Sequence, residues 1–228
     1  MKIEVFDDAG AVALAAADLI AAEARACVAA RGRFTMAVSG GRTPRLMLRA
    51  LADRDPPWAG VHMFQVDERV APDGDPDRNL THLRESFLAH VPLRPDQVHA
   101  MPVDAPDLAA AVRTYSAELR AIAGDPPVLD LVHLGLGPDG HTASLLPGDP
   151  SLDVTDADVA LAGPYQGRQR MTLTYPVIDR ARRLLWVVAG AEKAAVLRRL
   201  LDGDRAIPAG RVRQDRALVL ADRAAAGR

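Results

Sequence analysis

The chain has 228 residues, 49% of them hydrophobic and 25% charged, with a formal net charge of −2. That composition is ordinary for a globular protein, and the near-neutral charge gives no reason to expect a nucleic-acid partner. No run approaches 18 uncharged apolar residues, so no membrane-spanning helix is expected.

Taken in chain order, strands alternate with helices. "KIEVF" (2–6) reads as a short strand and 9–31 as a long Ala-rich helix. The acid-bearing start has no apolar h-region, so no signal peptide is expected. One cysteine, Cys27, precludes an internal disulfide and fits a reducing cytoplasm. "FTMAVSGG" is a buried strand, with a helix from Thr43 ("TPRLMLRALAD") after it. "VHMFQVDER" (61–69) is a strand, "NLTHLRESFLAHV" a helix, "QVHAMPV" a short strand and "DLAAAVRTYSAELRAIAG" a helix closed by Gly124. "LDLVHLGLG", "RMTLTYPVI", "RLLWVVAG" and "ALVLAD" are further strands, with the helix "AEKAAVLRRLLDG" before the last. Continuous apolar strands separated by helices predict one domain, 1–228, with a mostly parallel sheet covered on both faces.

Ligands of such sheets bind beyond the carboxyl ends of the strands. Three strands end in polar or glycine-rich groups: "VSGGRTP", "VDERV" and "GLGPDGH". In the first, Gly40 and Gly41 allow a tight turn, Thr43 suits an N-cap and Pro44 the first helical position. The free N–H groups of that helix start suit a phosphate. The same loop partly fits a nucleophile elbow with Ala37 for its first Gly, and Asp67 and His141 follow in hydrolase order. Two glycines, Arg42 and Pro44 after Ser39 argue against that triad. In the second segment Asp67, Glu68 and Arg69 crowd a strand end, and Arg is well shaped for a phosphate or an oxyanion.

The third contains Gly135-Leu136-Gly137-Pro138-Asp139-Gly140, a G-x-G-x-x-G run. A dinucleotide site needs a long helix after the third glycine, and "HTASLLPG" allows two turns at most. The glycines instead present His141 on a pedestal, with Asp139 placed to fix its tautomer. His133 reads as a core residue, and His62, His82, His90 and His99 sit in no constellation. No His-x-x-x-His pair occurs, so no metal is expected.

"SGGRTP", "VDERV", "DPDRN", "LGLGPDGHTASLLPG" and "RMTLTYPVI" stand in the order and spacing of the 6-phosphogluconolactonase family, within the wider glucosamine-6-phosphate isomerase/lactonase group. The resemblance spans about residues 5–220. It implies a Rossmann-like three-layer α/β/α fold and a cofactor-free and metal-free hydrolase of a sugar-phosphate lactone in the pentose phosphate pathway; separately, a monomer is expected. Carried over by position, His141 is the general base, Asp139 its neighbour and Arg69 part of the sugar-phosphate site; on chemical grounds Arg69 or the loop N–H groups suit the oxyanion. Ser39, Gly40, Gly41, Thr43, Asp67, Glu68, Asn79, Arg168 and Arg170 are the expected substrate contacts. The family usually shows a Lys in a Pro-rich run before "RMTLTYP"; this chain has Tyr165 near that place. The expected charge then comes from Arg168 or Arg170, with Lys193 read as solvated. Glucosamine-6-phosphate isomerisation is the alternative, but its Ala-Phe-Asn-Glu-Pro segment is replaced by "SLLP". A sugar-phosphate sensor domain is a second alternative. Relatives of that kind carry an N-terminal DNA-binding helix pair, whereas this sequence opens on a strand.

Overall fold

The computed structural model describes residues 1–228. In chain order the strands are β1 (Lys2–Phe6), β2 (Phe34–Val38), β3 (Val61–Gln65), β4 (Asp67–Arg69), β5 (Val98–His99), β6 (Leu131–Leu134), β7 (Val159–Tyr165), β8 (Arg168–Leu173), β9 (Arg183–Val188) and β10 (Ala217–Asp222). The helices are α1 (Ala9–Arg31), α2 (Arg42–Ala52), α3 (Asn79–Ser86), α4 (Leu108–Ala123), α5 (Tyr175–Arg180), α6 (Ala194–Leu201) and α7 (Pro208–Arg211).

Seven strands form a sheet in the order β1-β10-β9-β6-β2-β3-β5, and every pairing is parallel. Parallel sheets need both faces covered, and alternation along each strand sorts the core accordingly. On β9, Leu184, Trp186 and Val188 join one apolar cluster with α4 and α6, while Leu185 and Val187 join another with α1 and α2. The long α1 is bounded by side-chain and backbone chemistry visible in the sequence. Asp8 accepts the Ala11 N–H at 2.8 Å, and Gly32 closes the helix in the left-handed region with φ 74°. The three-layer parallel architecture is the expected one.

The connections from β2 and β6, which are neighbours, leave in opposite directions across the sheet. This is the switch point where a crevice opens beyond the carboxyl ends of the strands.

A second sheet, β4-β8-β7, is antiparallel and was not foreseen. "VHMFQVDER" is therefore not one strand. It breaks after Gln65, and Asp67–Arg69 pair with Arg170–Thr172. The fully buried Glu68 enforces the break by accepting the N–H groups of Arg69, Asn79 and Leu80 and the Gln65 Nε2 donor at 2.7–2.8 Å. Other differences are local. "TYPVI" leaves β8 and turns helical, with Thr174 at the N-cap and a proline in the first turn of α5. No helix follows Gly140; Thr142 and Leu145 form an isolated bridge. Helix α2 begins at Arg42 with Gly41 as N-cap, so Thr43 lies inside its first turn and does not cap it. Helix α3 stops at Ser86, before a separate 3-10 turn at Leu88–His90.

Candidate active site

The crevice is a cleft of about 390 Å³. The end of β2 contributes Ser39–Pro44, the β3–β4 junction contributes Asp67 and Arg69, and α3 contributes Asn79. The loop after β6 brings Gly135–Pro138 and His141, the β7–β8 hairpin brings Tyr165 and Arg170, and the loop after β9 brings Glu192 and Lys193.

His141 sits in the cleft with Nδ1 2.6 Å from Asp139 Oδ1, and the same oxygen accepts the His141 backbone N–H at 3.1 Å. Burial pushes the Asp139 carboxyl up, but the His141 N–H, the imidazole charge and the side-chain hydrogen bond together hold it below the usual range. An ionised carboxylate only accepts, so the proton of neutral His141 lies on Nδ1 and Nε2 keeps its lone pair. Asp139 itself stands behind the histidine and does not line the cleft. The loop glycines serve close approach: a Cβ on Gly137 would lie 2.2 Å from His141 Nδ1. On the opposite wall, a Cβ on Gly40 would lie 1.9 Å from Asn79 Oδ1.

Asp67 anchors a buried polar network. It accepts the Ser144 hydroxyl at 2.7 Å and stands 3.9 Å from Arg170 Nη1. Its backbone carbonyl accepts Asn79 Nδ2 at 2.9 Å. Arg170 is buried, and its Nε has no partner. Burial pushes that guanidinium down, and Asp67 opposes the push. Arg69 donates from Nη1 to the Asp77 carbonyl at 2.6 Å and lines the cleft beside it.

Two expected contacts fall outside. Glu68 is consumed by backbone N–H groups beneath the cleft. Arg168 pairs through Nη2 with Asp75 at 3.2 Å and Asp77 at 3.0 Å, which neutralises its charge away from the lining. Asp75 and Asp77 lie more than ninety residues before Arg168, so nothing local in the sequence marked that pairing. Lys193, read from sequence as solvated, instead lines the cleft and donates to the Leu136 carbonyl at 2.9 Å. Arg42 also lines it. Both stand just past a parallel strand, the rule that located the other residues.

Ser39 is not paired with His141. Its hydroxyl donates to the His133 carbonyl at 3.1 Å, and its N–H donates to His133 Nδ1 at 3.3 Å. His133 is fully buried, and burial pushes its pKa down to about 3, so it is neutral. One constellation escaped the sequence reading altogether. His62 Nδ1 lies 3.0 Å from His99 Nε2, and His99 Nδ1 lies 2.6 Å from Glu118 Oε1, joining β3, β5 and α4 through three residues that do not line the cleft.

Residues 7–220 match the model of a family described as glucosamine-6-phosphate isomerases/6-phosphogluconolactonase. A 6-phosphogluconolactonase of Synechocystis sp. is 41% identical over 174 residues, 75% of this chain and 72% of that protein. One from Mycobacterium tuberculosis is 36% identical over 241 aligned positions, 100% of this chain and 98% of its own length. The crystal structure of the Thermotoga maritima 6-phosphogluconolactonase superposes with a TM-score of 0.86 at 27% identity, covering 97% of this chain and 98% of that one. With the sheet order, the cleft at its switch point and a match along almost the whole sequence in agreement, the chain belongs to the glucosamine-6-phosphate isomerase/6-phosphogluconolactonase family.

Proposed function

We propose that the protein hydrolyses 6-phospho-D-glucono-1,5-lactone to 6-phosphogluconate, the lactone-opening step of the oxidative pentose phosphate pathway. The observation that carries the mechanism is His141, set in a cation-lined cleft with Nδ1 committed to Asp139 and Nε2 left to take a proton. His141 removes a proton from water as the oxygen attacks the lactone carbonyl. Arg69, or the N–H groups of the glycine loop, stabilise the oxyanion. Collapse breaks the bond from the carbonyl carbon to the ring oxygen, which receives the proton from the imidazolium. General-base help of this kind is worth typically ~10²–10⁴-fold.

The phosphate sits at the start of α2, where free N–H groups of residues 40–43 and the Thr43 hydroxyl face the cleft. Arg170 and Lys193 supply charge there. Arg170 is suited by its unpartnered Nε, while Arg168 is already neutralised by two carboxylates. Ser39, held by His133, shapes the loop and is no nucleophile.

Isomerisation of an amino-sugar phosphate is disfavoured by one feature. Where that chemistry places a glutamate before the proline of this loop, this chain has Leu146, a buried apolar side chain with no proton to exchange. We also read the protein as a cytoplasmic monomer, in keeping with its single, buried cysteine. Size-exclusion chromatography with light scattering checks the monomer.

The test is acid release from 6-phosphogluconolactone by purified protein, followed above the spontaneous background, with glucosamine 6-phosphate in parallel. Accelerated lactone opening without sugar isomerisation is expected. Turnover of the amino sugar with no effect on the lactone would overturn the reading.

A further inference from the structure

Tyr165 lines the cleft, and its placement is built rather than incidental. It ends β7, in a hairpin whose two turn residues, Gln166 and Gly167, have φ of 53° and 78°. That pair of left-handed conformations makes a tight turn matched to strand twist. The register slips between Ala162 and Tyr165, so a bulge at Gly163 and Pro164 re-aims the side chain at the cleft. Asp149 fixes the bulge by accepting the Gly163 N–H at 2.7 Å. Beyond the turn, Arg168 pins the hairpin to Asp75 and Asp77.

The ring delivered this way makes two contacts at once. It packs edge-on to His141, with centroids 5.2 Å apart and planes at 64°. The Arg170 guanidinium carbon lies 5.1 Å from the ring centroid, and Arg170 Nη2 donates to the Tyr165 carbonyl at 3.4 Å. A buried arginine with one unpartnered nitrogen and a histidine on a glycine loop are thus braced against one aromatic plate. Edge-to-face and cation–aromatic contacts are directional, so they set orientation as well as burying area.

We propose that Tyr165 is a positioning residue: it fixes the His141 imidazole against Asp139 and holds Arg170 at the substrate side of the same ring. This rests on the general-base reading of His141. The phenol is pushed up by burial first and then by the nearby Asp139 charge, so it stays protonated near neutrality and acts without titrating.

The experiment measures kcat and KM for the phosphorylated lactone from pH 5 to 9 in Tyr165→Phe, Tyr165→Ala and His141→Ala, each checked for folding by thermal unfolding. Misplacing a reacting group by about 1 Å costs about 10²-fold, so Tyr165→Ala is expected to lose kcat on that order. Tyr165→Phe keeps the plate and is expected to recover most of the loss, with KM within about twofold of the parent. Its kcat/KM profile from pH 5 to 9 should keep the parent's shape, because the ring packed against the imidazole is still in place. Parent-like kcat in Tyr165→Ala, or a loss confined to KM, overturns the inference. Should His141→Ala itself retain parent activity, the base reading falls instead, and the two failures are told apart by that variant alone.

Discussion

Two histidines in this molecule look alike at first sight. His141 and His99 each place Nδ1 2.6 Å from a carboxylate oxygen, of Asp139 and Glu118 respectively. The second nitrogen separates them. In His99 it is spent on His62 at 3.0 Å, and the ring is stacked at 4.2 Å on Phe64 between β3 and α4. In His141 the second nitrogen has no protein partner, and the residue lines a cleft beside cations. A carboxylate–imidazole hydrogen bond is therefore not a sign of catalysis. What matters is whether the second nitrogen is free and whether a substrate can stand next to it.

The largest effect that would break the contrast is on turnover. His141→Ala should cut kcat by about 10²–10⁴-fold with KM little changed, since only a transition-state role is lost. Steady-state kinetics on the lactone reads this, and equal KM and kcat losses would recast His141 as a binding group. His99→Ala should do the reverse. It empties a packed site and leaves Glu118 and His62 without their partner, costing about 2–4 kcal/mol of stability. Denaturant unfolding should show that loss, with kcat unchanged in the folded fraction. A His99 variant that is stable but slow would end the distinction.

Gly137→Ala changes a residue that supports His141. Its Cβ would lie 2.2 Å from His141 Nδ1, so the ring must shift. The expected kcat loss is about 10²-fold at parent-like stability, measured by the same two assays.

A third histidine sharpens the comparison through pH. His133 is buried with no partner for Nε2, and burial holds its pKa near 3. A folded-state value below the unfolded value of about 6.5 means that the unfolded chain takes up the proton first. The contribution is complete above pH 6.5 and is lost as pH falls toward 3. Between pH 6.5 and 5 the loss should be about 2 kcal/mol from this group. Chemical denaturation of parent and His133→Gln across that range checks it, the variant showing the shallower slope.

The smallest effect expected is at Arg168. Its charge is paired with Asp75 and Asp77 outside the cleft, so Arg168→Ala should raise KM for the phosphorylated lactone less than about threefold. Arg170→Ala, which removes a buried guanidinium beside Asp67, should raise it by more than ten times that of Arg168→Ala, about 1.5–3 kcal/mol for a charged hydrogen bond. Equal effects would return Arg168 to the binding set.

Much of this was legible in the sequence because it depends on period and on strand ends. The parallel sheet followed from apolar runs such as "LLWVV" between helices, since burial on both faces leaves no polar alternation to misread. The cleft followed from asking what each strand delivers at its carboxyl end, which placed Ser39–Thr43, Asp67, Arg69 and His141 together. Local chemistry also carried the Asp139–His141 pair, two residues apart on one loop. Tertiary structure alone decided the rest. The break at Val66 depends on Glu68 finding N–H donors from α3, eleven and twelve residues away. The hairpin of β7 and β8 depends on a bulge that no composition signal marks. The roles of Arg168, Arg170 and Lys193 were not separable in sequence, because an arginine's charge is the same on either side of a strand. Only packing determines which one meets a carboxylate, which is braced on Tyr165 and which is left facing the substrate.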